Sequence, residues 1–166
     1  MITRCAFLAG LLSLAIWAGS AVAADIPLVD HGDGWMYRKG TNAPQSNWKT
    51  APDASLDATW LGPAPGGFGY GDSDDATTLS DMQNRYTTVY IRRTFSVATA
   101  GDTNLHLFLR MNWDDGFVAW INGVEVYRFN VPLGEPTYDS TAIAEYTESA
   151  SGVSAAQYTL ADPYGY

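Results

Sequence analysis

The chain has 166 residues, with 9 Lys and Arg against 18 Asp and Glu, for a formal net charge of −9. A balance this acidic argues against nucleic acid or an anionic lipid surface as partner, because both require a basic patch. The single cysteine, Cys5, excludes an internal disulfide, and without paired cysteines or histidines a zinc site has no ligand set.

In chain order, residues 1–23 read as an export signal. Arg4 supplies the positive start, Cys5 to Trp17 is an apolar run, and Ala21-Val22-Ala23 fits the small-residue cleavage pattern. The run is shorter than the roughly 20 residues of a membrane span, and no later stretch reaches that length. The expectation is a secreted or periplasmic protein, with no membrane insertion after cleavage. Cleavage would remove Cys5 and Trp17, leaving about one ordinary domain of chain held by packing alone, with Trp35, Trp48, Trp60, Trp113 and Trp120 to fill it.

Residues 24–34 form a linker or first extended segment, and Trp35-Met36-Tyr37-Arg38 opens a strand. Between Ala51 and Asp75 stand three prolines and five glycines, a density that predicts a long ordered loop pinned by Trp60, Phe68 and Tyr70. Thr88 to Val97 predicts a strand, with Val89, Ile91, Phe95 and Val97 on one face and Tyr90, Arg92, Thr94 and Ser96 on the other. Leu105, Leu107 and Leu109 alternate in a second. Phe117–Ile121 and Val124–Phe129 flank Asn122-Gly123, the strongest short hairpin signal, since both turn residues must accept positive φ. Nothing after residue 23 sustains a helical period. The reading is all-β, a sandwich or jelly roll over 35–148, followed by a weakly patterned tail over 149–166.

The strings YIRRTFSV at 90–97 and LHLFLRMNWDDGFVAWINGVEVYR at 105–128 resemble the galactose-binding-like jelly rolls, including the sugar-binding domains of family-two glycoside hydrolases. A module of secreted bacterial proteins, often beside metallophosphoesterase or other hydrolase domains, is more similar still. Trp35, Trp48, Trp60, Gly69–Asp72, Tyr90–Arg92, Asp114–Gly116, Asn122–Gly123, Glu125–Val126, Arg128, Asn130 and Pro132 carry that resemblance. It implies a jelly-roll sandwich in an accessory role and names no ligand. Such modules end in two further strands, and nothing after Ser149 matches them. The sandwich is therefore open to being incomplete at its C-terminus, as a fragment of a longer protein would be.

No residue set predicts catalysis. Asp114 and Asp115 are adjacent, so on extended chain they point to opposite faces, whereas glycosidase carboxylates sit about 5 to 9.5 Å apart across a substrate. They read instead as a turn, with Gly116 at positive φ. His31 and His106 have no nucleophile elbow near them. Asp72, Asp74 and Asp75 are the candidate cation ligands, for calcium, although the spacing is not that of an EF-hand and a solvated acidic loop is the plainer reading. Trp113 and Trp120 are the candidate sugar-stacking faces, and Arg128 the candidate fork for a hydroxyl or carboxylate. Against these stands the reading in which Arg92, Arg93, Arg110 and Arg128 pair with acids and the tryptophans fill the core. The expected function is a non-catalytic accessory module, binding glycan or packing against a neighbouring enzyme domain. The alternatives are the N-terminal piece of a secreted hydrolase and a structural surface or adhesion domain.

Overall fold

The structure, a computed structural model, describes residues 26–30, 32–71, 73–97 and 107–146, together with the main chain of 156–160. The expected export signal and both histidines lie outside the described residues. Those described form nine strands and one 3-10 turn (Asp53–Ser55), so the described part of the chain is all-β. In order the strands are β1 (Gly34–Lys39), β2 (Leu61–Pro65), β3 (Phe68–Gly69), β4 (Thr77–Thr78), β5 (Val89–Arg92), β6 (Leu107–Met111), β7 (Phe117–Ile121), β8 (Val124–Phe129) and β9 (Ala156–Leu160). No helix among the described residues is long and apolar enough to cross a membrane.

β1 is the centre of an antiparallel sheet ordered β2-β1-β5. The strand expected at Trp35 falls inside it. β2 is a correction, because it runs through Pro63 and Pro65 where a loop was expected. As an edge strand it needs main-chain donors on one side only, which is where a sheet tolerates proline. Its register also slips: Trp35 and Tyr37 face Ala64 and Leu61, so β2 carries one residue more than β1 over this stretch. The two-residue parallel pair of β3 and β4 closes the 70–76 loop.

β5 stops at Arg92 rather than running on to Val97. Just past it, the carbonyl of Gly34 accepts from the side chain of Arg93 (2.5 Å), a side-chain bond where main-chain pairing would otherwise continue. β7 and β8 form the expected hairpin, with Asn122 at φ 49 and Gly123 at φ 87. The tail also departs from expectation. Ala156–Leu160 pairs antiparallel with all of β6, from Leu107↔Leu160 to Met111↔Ala156. Five residues of Ala-Gln-Tyr-Thr-Leu are too short a pattern to announce a strand without its partner.

The core lies against the β1–β5 face that looked polar. Met36 faces Arg92 and Arg38 faces Tyr90 across the ladder, so these four share one side. Trp48 and Trp60, delivered by loops, pack there with Tyr90 as the buried cluster. Trp48 meets Tyr90 at 5.2 Å edge-on, Trp60 at 5.8 Å and Trp120 at 5.7 Å. Alternation misleads here because the core is built of rings carried by loops, and a ring packs on tyrosine as readily as on valine.

Arg38, 2% exposed, is the most buried large side chain described. Its Nε donates to Thr59 Oγ1 (2.7 Å), Nη1 to the Asn42 carbonyl (2.7 Å), and Nη2 to Asn42 Oδ1 and the Ala43 carbonyl (3.0 Å). Its guanidinium also lies 5.9 Å from the Tyr90 ring centre. Neutral acceptors thus hold a buried cation, and it ties the turn at 41–43 to the chain entering β2.

Candidate functional site

A cleft of about 290 Å³ opens at the end of the three-stranded sheet. Gly34 and Met36 of β1, Pro63 of β2, Asp53 of the 3-10 turn, and Arg92, Arg93 and Thr94 at the end of β5 line it. That volume is at the small end of ligand sites, which run from about 300 Å³ upward, and suits one small ring.

The two arginines are anchored alike. Arg92 donates to the carbonyls of Trp48 and Ala51 (the latter at 2.5 Å) and meets Asp53 at 3.0 Å. Arg93 donates to the Gly34 carbonyl at 2.5 Å and meets Asp33 at 3.1 Å. In each pair the cation is deeper than the acid. The side chains are 11% and 28% exposed for Arg92 and Arg93, against 44% and 35% for Asp53 and Asp33. Carbonyls therefore fix the guanidinium groups, while the carboxylates reach in from more open positions. The Nε–H of each arginine is buried and has no hydrogen-bond partner. Buried donors of a charged group are normally paired, so both are unmet demands at this end of the sheet.

The three residues singled out for ligand binding do not all come together: Trp113 lies on the other side of the hairpin from Trp120 and Arg128. Phe117 faces Phe129 and Ala119 faces Tyr127, so these share one side of the hairpin, while Val118, Trp120 and Arg128 take the other. Trp113 joins the first side, 5.0 Å from Phe129, 5.2 Å from Phe117 and stacked on Tyr146 at 5.6 Å. Trp120 packs on Trp48, and the Lys49 ammonium sits 4.4 Å from its ring centre, so a cation already covers that face. Lys49 in turn pairs with Glu135 at 2.6 Å.

Arg128 has four of its five N–H donors engaged. It grips both oxygens of Glu125 (2.9 and 2.6 Å) and donates to the carbonyls of Pro132 (2.6 Å) and Gly134 (2.8 Å). The hydrogen bond from Arg128 holds the Glu125 carboxyl below its usual range. Residues three apart on a regular strand point to opposite faces. Here Trp120 faces Glu125 while Ala119 faces Tyr127, so Val126 is an extra residue that brings Glu125 and Arg128 to one side.

Asp114 and Asp115 form a bend where a turn was expected, and Gly116 after them is not at positive φ. Glycine stands there because a Cβ would lie 2.8 Å from the Phe129 carbonyl oxygen and 3.0 Å from that of Asn130. Asp115 accepts from the Tyr146 N–H (2.7 Å), and Asn130 donates to the carbonyls of Asp115 and Ala144 (3.1 and 2.6 Å). The bend is thus part of the hairpin's scaffold.

Of the calcium candidates, Asp72 lies outside the described residues. Asp74 is exposed, and the Asp75 carboxylate lies against the main chain of Gly69. Among the described residues no three His, Cys, Asp or Glu gather as a cation site.

Comparison of the chain with family models, with curated proteins and with solved structures gives no match. The cleft thus rests on its own chemistry. Arg92 and Arg93 were visible in the sequence only as cations on a strand. Their shared cleft depends on Asp53 and Pro63, far upstream, and a double-arginine step at a strand's end was the one signal pointing there.

Proposed function

We propose that this chain is a secreted, non-catalytic accessory module of jelly-roll type that binds carbohydrate in the Arg92–Arg93 cleft. The cleft's mixture of groups supports the reading. Guanidinium donors and the Thr94 hydroxyl, which both donates and accepts, offer both halves of the hydrogen bonding that a sugar hydroxyl needs, and Met36 and Pro63 add apolar surface for the ring. The resemblance of the hairpin and Tyr90–Arg92 strings to sugar-binding jelly rolls agrees with it.

Isothermal calorimetry of the full chain against soluble neutral and acidic plant, algal and bacterial glycans tests the proposal. Saturable heat is expected from at least one glycan, weakened in Arg93→Gln and unchanged in Trp113→Phe, which leaves the cleft intact. Silence across the panel, or loss from Trp113→Phe alone, refutes it.

A further inference from the structure

Resting on that reading, we infer that the cleft selects an acidic sugar, a uronic-acid residue whose carboxylate exchanges with Asp53 on Arg92, or with Asp33, which pairs with Arg93 without itself lining the cleft. In this chain of net charge −9 the general field opposes anions, so two adjacent arginines at one small cleft are a local departure. The cations are built in. The carbonyls of Trp48 and Ala51 hold Arg92, and that of Gly34 holds Arg93, whatever becomes of their acidic partners.

The carboxylates are the replaceable half. Asp53 and Asp33 are the more exposed member of each pair, and each meets its arginine through Nη2, leaving the Nε–H without a partner. A planar carboxylate accepts best from two parallel N–H bonds, a geometry that an arginine offers through Nε and Nη2 together. An incoming uronate that displaced the aspartate from Nη2 would gain this second bond. Its ring would then lie toward Met36 and Pro63, with Thr94 free to meet a hydroxyl. A neutral hexose has no group that could take the aspartate's place.

Asp53 is accordingly a competitor of the ligand, and its removal has the opposite sign to that of an arginine. Calorimetry of the full chain against a trisaccharide of galacturonic acid, its galactose counterpart, and the simple dicarboxylate glutarate separates the cases. The expected result is uronide binding about ten-fold or more tighter than the neutral trisaccharide, the preference disappearing in Arg93→Gln. Asp53→Asn should tighten uronide binding about two- to five-fold without strengthening the neutral sugar. A variant that merely damaged the fold would not bind better. Equal binding of the two trisaccharides, or weaker uronide binding by Asp53→Asn, overturns the acidic preference and leaves the sugar site standing. Glutarate binding as tightly as the uronide overturns the sugar as the ligand. No binding of either trisaccharide, with heat from some other neutral glycan, overturns this inference alone, whereas silence from every glycan removes the proposed function with it.

Discussion

Replacing Arg38 by lysine keeps a cation in the most buried position described and removes only its fork. The guanidinium reaches Thr59 Oγ1 with one edge and the Asn42 and Ala43 acceptors with the other, four bonds beside a long one to the Lys39 carbonyl (3.5 Å). An ammonium is a single point with three donors and cannot span both groups, so about two of the four bonds are lost. Hydrogen bonds to a charged group contribute about 1.5–3 kcal/mol each. Thr59, Asn42 and Ala43 are exposed and regain water, which lowers the net loss to about 2–4 kcal/mol, a large share of the roughly 5–15 kcal/mol of a whole domain. Urea melts with linear extrapolation measure the difference, and amide exchange at 41–43 locates it. Arg38→Lys within about 0.5 kcal/mol of the parent, with unchanged exchange at that turn, would show that the fork does not hold it.

Two further outcomes follow from the same reasoning. Tyr86 is pushed up to about 12, first by burial and then by donating to Asp81, so the fold favours its neutral form. Its contribution is complete below pH of about 10 and disappears as the pH climbs toward about 12, whereas Asp81, held low mainly by Lys39, contributes above its ordinary value and loses that as the pH falls. Urea midpoints followed into alkali should therefore drop across that window in the parent and less in Tyr86→Phe; parallel curves would contradict the assignment. Gly116→Ala sets a methyl 2.8 Å from the Phe129 carbonyl and should cost about 1–3 kcal/mol by urea melt, and an unchanged midpoint would mean that the bend moves freely.

The parts of this fold legible in the sequence are those whose cause is local. Asn122-Gly123 needs only its own two backbone angles to make a turn, and β1 needs only its own run of apolar and aromatic residues. β2 and β9 depend on partners remote in the chain. Prolines at 63 and 65 become acceptable once β1 takes one side and nothing needs the other. The side chains chosen as ligand contacts were of fitting chemical type, yet Arg128 is consumed by Glu125 and its own following loop, and Trp120 lies under Lys49. Type alone does not reveal whether a neighbour has already claimed a group. For Arg92 and Arg93 the same census comes out differently, because their Nε–H donors are left over.

The extra residue at Val126 works as a phase slip along the hairpin. Toward the turn, β8 is read in one alternation, with Glu125 on the Trp120 side; toward its base it is read in the other, with Tyr127 and Phe129 among the aromatic rings and Arg128 opposite them. The Asn122-Gly123 end can therefore be lengthened or exchanged with its own inside–outside pattern, provided the slip is kept. Deleting Val126 would leave one regular alternation, with Glu125 and Arg128 still on one side and Tyr127 and Phe129 on the other. Pairing the strand without the slip while Val126 stays would instead put Glu125 on the side of the rings, away from Arg128, or carry the rings of Tyr127 and Phe129 to the other face.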